Sequence, residues 1–137
     1  MPAVTAAAAP SLSDIESWNT GHLITAAAHW TANATAWEQA VTEVTQQVPS
    51  PGGHDWNGKA AEAAQQHAHD DRLRVIGAAD ELNAASELAR RGADQLAAAK
   101  SRVTSVISDA RAAGFTVNED LSVEYTDDGS PAAANRR

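Results

Sequence analysis

The chain has 137 residues, a formal net charge of -8 and 4% aromatic residues, which suits one domain built as an elongated helical bundle rather than around a wide globular core. It contains no cysteine, so it can form no disulfide, thiolate metal site or thiol nucleophile, and its acidity opposes binding to nucleic-acid phosphates. No apolar run approaches the roughly 18 residues that cross a bilayer.

Residues 1–10 read as a disordered, alanine-rich lead-in that lacks the positive start and long apolar core of a signal peptide. A helix is expected over 11–48. Ser11 or Ser13 can cap its start, with Asp14 and Glu16 supplying the negative charge favoured there, and Leu12 and Ile15 begin the apolar pattern. The series Leu23, Ala27, Trp30, Ala34, Trp37, Val41, Val44, Val48 then advances in steps of four and three, the spacing of a coiled-coil seam. On that pattern Trp30 and Trp37 are core residues. Pro49 ends the helix, and the turn over 49–56 holds Pro49-Ser50-Pro51-Gly52-Gly53 and leads into Trp56-Asn57-Gly58.

A second helix is expected over 57–113. Ala61, Ala68, Val75, Leu82, Ala89, Leu96, Val103 and Ala110 recur at an unbroken spacing of seven, and Ala64, Ala78, Ala79, Ala85, Ala93, Val106 and Ile107 widen the stripe. So much alanine implies close helix approach. Asp55 or Asn57 can cap the start, Gly58 suits a close pass of backbone beside the tryptophan ring, and Gly114 is placed just past the helix end. Arg90-Arg91-Gly92 followed by Asp94 looks like a stop and restart, yet the heptad runs through in phase, and an interior glycine costs only about 1 kcal/mol. The pattern therefore predicts one continuous helix.

At 1.5 Å per residue the two helices span roughly 55 and 85 Å, so in an antiparallel hairpin Leu12 falls near Ala93. Beyond it, Leu96, Val103, Val106, Ile107 and Ala110 need a cover. A second copy of the chain, a different helical partner, or the C-terminal segment folding back could supply it, and self-association is expected where no partner is present. Within 114–125, Phe115-Thr116-Val117 and Leu121-Ser122-Val123-Glu124-Tyr125 flank a polar turn and read as a short β-hairpin or extended clamp. Residues 126–137 have the composition of a linker or disordered tail. The expected fold is thus all-α, an antiparallel helical hairpin able to form a coiled coil or four-helix bundle, with a longer second helix and a short β-prone end.

Trp18 falls off the main stripe and aligns at helical spacing with His22, Thr25 and His29. Trp18, His22, His29, Leu96, Val103, Val106 and Ile107 are the partner-interface candidates, since aromatic residues are enriched in interface hot spots. Equally, Trp18 could cover the overhanging end of its own hairpin. No metal site is expected: His22 and His29 are seven apart, whereas helical zinc pairs use a spacing of four, and His67 and His69 lie on different faces. No nucleophile elbow, glycine-rich phosphate loop or grouped carboxylates occur, so neither catalysis nor a cofactor is expected.

Two heptad-patterned helices joined by a turn bearing Trp56-Asn57-Gly58 resemble, over roughly residues 11 to 113, the WXG100 superfamily of small helical hairpins associated with type VII (ESX) secretion in mycobacteria and other Gram-positive bacteria. The resemblance implies a homodimer or a helical WXG100-type partner, contact with the type VII machinery, and a signal-peptide-independent route from the cytoplasm to the envelope or exterior. In that family the motif serves both packing and recognition. The usual C-terminal export signal, Tyr followed four positions later by Asp or Glu, is not matched, because Gly129 stands four positions after Tyr125. The longer second helix is similar to WXG100-like modules at the start of larger actinobacterial proteins, which implies the exported or targeting N-terminal part of an effector. The alternative is a structural coiled-coil dimerisation domain whose Trp-Asn-Gly turn is coincidental.

Overall fold

A computed structural model describes residues 8–125; the expected tail over 126–137 and most of the expected lead-in lie outside them. The elements run α1 (Leu12–Ser17), α2 (Gly21–Gln47), a 3-10 turn (Pro51–Gly53), α3 (Lys59–Ala112), β1 (Phe115–Val117) and β2 (Val123–Tyr125). The fold is helical, with a long second arm and a small two-stranded antiparallel sheet at the C-terminal end. It divides into two compact units: Thr20–Asp94, and residues up to Asn19 together with those from Gln95 onward.

The unit Thr20–Asp94 is the hairpin proper. Ala27 and Ala34 of α2 and Ala61, Ala68, Ala79 and Ala93 of α3 are its buried apolar residues. Ser86 of α3 reaches the carbonyl of Ala27 near the start of α2, whereas Val48 at the end of α2 shares a depression with Ala64, so the helices run antiparallel. α3 passes Gly92 without interruption, as its heptad predicts.

Packing is narrower than the expected seam. Within α2 the seven-residue series Ala27, Ala34, Val41, Val48 faces inward, while Trp37 is 44% exposed and Val44 also faces outward. Trp37 is therefore not a core residue, and Trp30 is only half-buried. The cause is the alanine stripe itself: backbones that approach closely on methyl-sized contacts leave no gap wide enough for an indole, which is pushed to the rim.

The first arm is not one helix over 11–48. α1 ends at Trp18, whose extended backbone (φ -61, ψ 129) breaks the run before Thr20 caps α2 without a side-chain bond. Asn19, Thr20 and Gly21 are poor helix formers, and the helical bonds given up at the break are replaced from elsewhere: the Lys100 ammonium donates to the carbonyls of Glu16 (2.9 Å) and Trp18 (2.7 Å). Ser11, one of the two expected caps, forms a reciprocal capping box with Asp14.

In this unit α1 is also tied to the C-terminal hairpin. The Leu12 amide donates to the Glu119 carbonyl at 2.9 Å, so Leu12 is anchored at residue 119. β1 and β2 pair as Phe115↔Tyr125, Thr116↔Glu124 and Val117↔Val123, with the Phe115 and Tyr125 rings 5.4 Å apart. α3 ends as expected at Gly114, whose φ of 95 suits glycine and whose amide donates to the Arg111 carbonyl.

Candidate functional site

The bend is shaped by backbone geometry. Gly52 (φ 64), Gly53 (φ 84) and Gly58 (φ 106) all occupy the half of conformational space that side chains disfavour. Neither expected cap opens α3. Asp55 instead accepts a hydrogen bond from the Ser50 hydroxyl at 3.0 Å, and Gly58, immediately before Lys59, offers its carbonyl to the Glu62 amide. A Cβ on Gly58 would meet no atom within 4 Å, so its glycine answers to φ and not to a close pass of the tryptophan ring.

Trp56 is held through its amide, which donates to the Pro49 carbonyl at 3.0 Å, while its side chain remains 39% exposed. With Val44, Val48, Pro51 and Ala64 it lines a depression of about 350 Å³. A larger groove of about 570 Å³ lies further along the hairpin between Trp37, Val41 and Val44 of α2 and Ala68, Val75 and Ala78 of α3. Its lining is almost wholly apolar; Asp71 is the charged group at its edge. α2 carries Glu38 and Glu43 and no lysine or arginine, since every lysine and arginine of the chain stands at Lys59 or later. An apolar, aromatic surface depleted of charge is the composition found at the centre of protein interfaces.

The partner-interface candidates fare unequally. His22 and His29 are exposed on α2. Trp18 is 46% exposed but lies outside the helix, so the helical spacing that grouped it with the two histidines does not run through the break. Leu96, Val103 and Val106 are exposed. Ile107 is not: it is 8% exposed, because α1 and the C-terminal hairpin fold over the last turns of α3. Part of the cover for the overhang thus comes from this chain itself, with Val117 and Leu121 beside Val103, Val106 and Ile107.

Two carboxylates are tuned in this region. Hydrogen bonds from the Ser13 hydroxyl (2.6 Å) and amide (3.2 Å) hold Glu119 below the ordinary glutamate range. The Ser122 hydroxyl and amide do the same for Asp120, fixing the turn between the strands. Both hydrogen-bond sets act on local structure, tying α1 to the turn between the strands and fixing that turn.

One buried residue escaped the sequence reading. Ser86 is 2% exposed, donates to the Ala27 carbonyl at 2.7 Å and shares a 2.8 Å hydrogen bond with the Thr31 hydroxyl. Its signal was its place seven residues from both Ala79 and Ala93, two members of the inward stripe.

Among the described residues no helix is long and apolar enough to cross a membrane, and no three His, Asp or Glu side chains are grouped for a metal. No family model matches the chain, and no solved structure matches it. Proteins described as uncharacterized from Mycobacterium bovis and from two strains of Mycobacterium tuberculosis are each 41% identical to it over 123 residues, 90% of this chain. The chain spans 37% of the length of these mycobacterial relatives.

Proposed function

We propose that the chain is a WXG100-like protein-protein interaction module associated with type VII (ESX) secretion, serving as the exported or targeting N-terminal part of a larger effector. It pairs through its helical faces with a second copy or with a helical partner of the same type, is cytoplasmic before export, and then reaches the envelope or exterior without a signal peptide. The observation that carries this reading is the bend: an exposed Trp56 followed two residues later by a glycine whose φ of 106 sets the start of α3. At 39% exposure Trp56 leaves part of its indole open to a partner at the corner, and aromatic residues are enriched in interface hot spots. The apolar groove beside Trp37 supports a helical partner, and the similarity to mycobacterial proteins of greater length supports a module within a larger chain.

The test is Trp56→Ala in the full-length protein of a mycobacterial host. Export or partner capture should be lost while the circular-dichroism helix signal is retained. A variant that is exported normally and merely melts at lower temperature would overturn the secretion reading and leave the structural dimerisation domain in its place.

A further inference from the structure

Ile107 is the buried apolar residue of the last turns of α3, yet Val106 beside it and Val103 one turn back are exposed. What shields Ile107 is slight. α1 has six residues, far below the length at which a helix persists unaided, and Leu12 and Ile15 are its buried residues. Its remaining attachments are polar. At its start, Leu12 and Ser13 bond to Glu119; at its end, Lys100 holds the carbonyls of Glu16 and Trp18; on its side, Arg111 pairs with Glu16 at 3.1 Å. The side-chain bonds to Ser13, Lys100 and Arg111 are all exposed, so water competes for both partners of each. The β-hairpin adds two three-residue strands, and its turn is the part of it that Ser13 grips.

We infer that residues 11–18 and the hairpin 115–125 form a releasable strap over the end of α3, whose opening bares Ile107 and joins it to Val103 and Val106 as one apolar strip on an intact helix. Opening requires loss of solvent-exposed bonds and of a few buried side chains, whereas unfolding the α2–α3 hairpin requires loss of its whole alanine seam. The strap therefore opens while the hairpin stays folded. The closed strap withholds that surface, with its own Val117 and Leu121 beside Val103, Val106 and Ile107. Which surface of α3 is available is independent of where the protein travels.

Hydrogen exchange read by mass spectrometry on the whole chain tests it. In the unaltered protein, peptides covering 12–18 should exchange roughly 100-fold faster than those covering the inward alanines of α2 and α3, as expected for a sub-global opening. Ser13→Asp replaces the hydroxyl donor to Glu119 with a carboxylate that repels it without harming a helix start, and Lys100→Ala removes the clamp at the other end. Each should speed exchange of 12–18 by roughly tenfold and raise binding of an anilinonaphthalene sulfonate dye, with the α2 peptides unchanged. Combining Ser13→Asp with Glu119→Arg should return both readings toward the original values. Peptides 12–18 exchanging as slowly as the helices would overturn the proposal, because release would then need global unfolding. So would faster exchange with no added dye binding, because the strip would then not be bared.

Discussion

Replacing Ser86 by alanine isolates the one polar tie in the alanine seam. The hydroxyl makes two hydrogen bonds, to the Ala27 carbonyl and to Thr31, each contributing about 1 kcal/mol net in a protein interior. Neither former partner is left orphaned. An interior helical carbonyl keeps its own bond to the amide four residues on, and Thr31 is exposed to water. Alanine also gains about half a kcal/mol in helix propensity over serine and leaves almost no cavity. The balance is a loss of about 1–1.5 kcal/mol, or a fall in Tm on the order of 5 °C for a domain of this size. Urea denaturation followed by circular dichroism, at fixed protein concentration, measures it. A double-mutant cycle with Thr31→Val should return a coupling on the order of 0.5–1 kcal/mol. A Ser86→Ala protein as stable as the parent, or a coupling indistinguishable from zero, would refute the reasoning that this hydroxyl holds α2 against α3.

Three further outcomes follow from the same geometry. Ala34→Leu places three extra heavy atoms where exposure is zero and should destabilise by about 1–3 kcal/mol, whereas Ala32→Leu on the exposed face should change stability by less than about 0.5 kcal/mol in thermal melts. Gly58→Ala forces a side chain into a φ of 106 and should cost about 1–2 kcal/mol even though space is open there, detectable as a lower denaturation midpoint with an unchanged slope. Glu119 has a folded-state pKa below its ordinary value of 4.5, so its contribution is present above that value and is lost as pH falls through the lower, folded one. The charge of nearby Asp14 opposes this ionisation slightly, and Glu119→Gln should flatten the acid limb of the stability profile for residues 12–18.

Much of this architecture is legible in the pattern of residues. The seven-residue spacing from Ala61 onward specifies α3 through Gly92, the Pro-Gly run specifies the bend, and the β-prone runs around a polar turn specify the small sheet, although Leu121, read as part of the second run, lies in the turn at a φ of 66. The break at Trp18 is not legible, because Lys100, which takes over the freed carbonyls, lies more than eighty residues away in sequence. Trp37 and Ser86 mislead for one shared reason. Periodicity says which residues face the neighbouring helix but not how near that helix comes, and at alanine separation a serine fits inside while an indole does not. Burial of Ile107 depends likewise on a strap whose two parts stand at opposite ends of the chain.

The seam of Ala27, Ala34, Ala61, Ala68, Ala79 and Ala93 also shapes how the protein responds to heat. Methyl groups remove little apolar area from water per residue, and it is newly wetted apolar area that sets both the heat-capacity increment and the denaturant slope of unfolding. For its length, the chain should therefore show a small heat-capacity increment, a flat stability curve extending well into the cold, and a broad melting transition even in a fully cooperative hairpin.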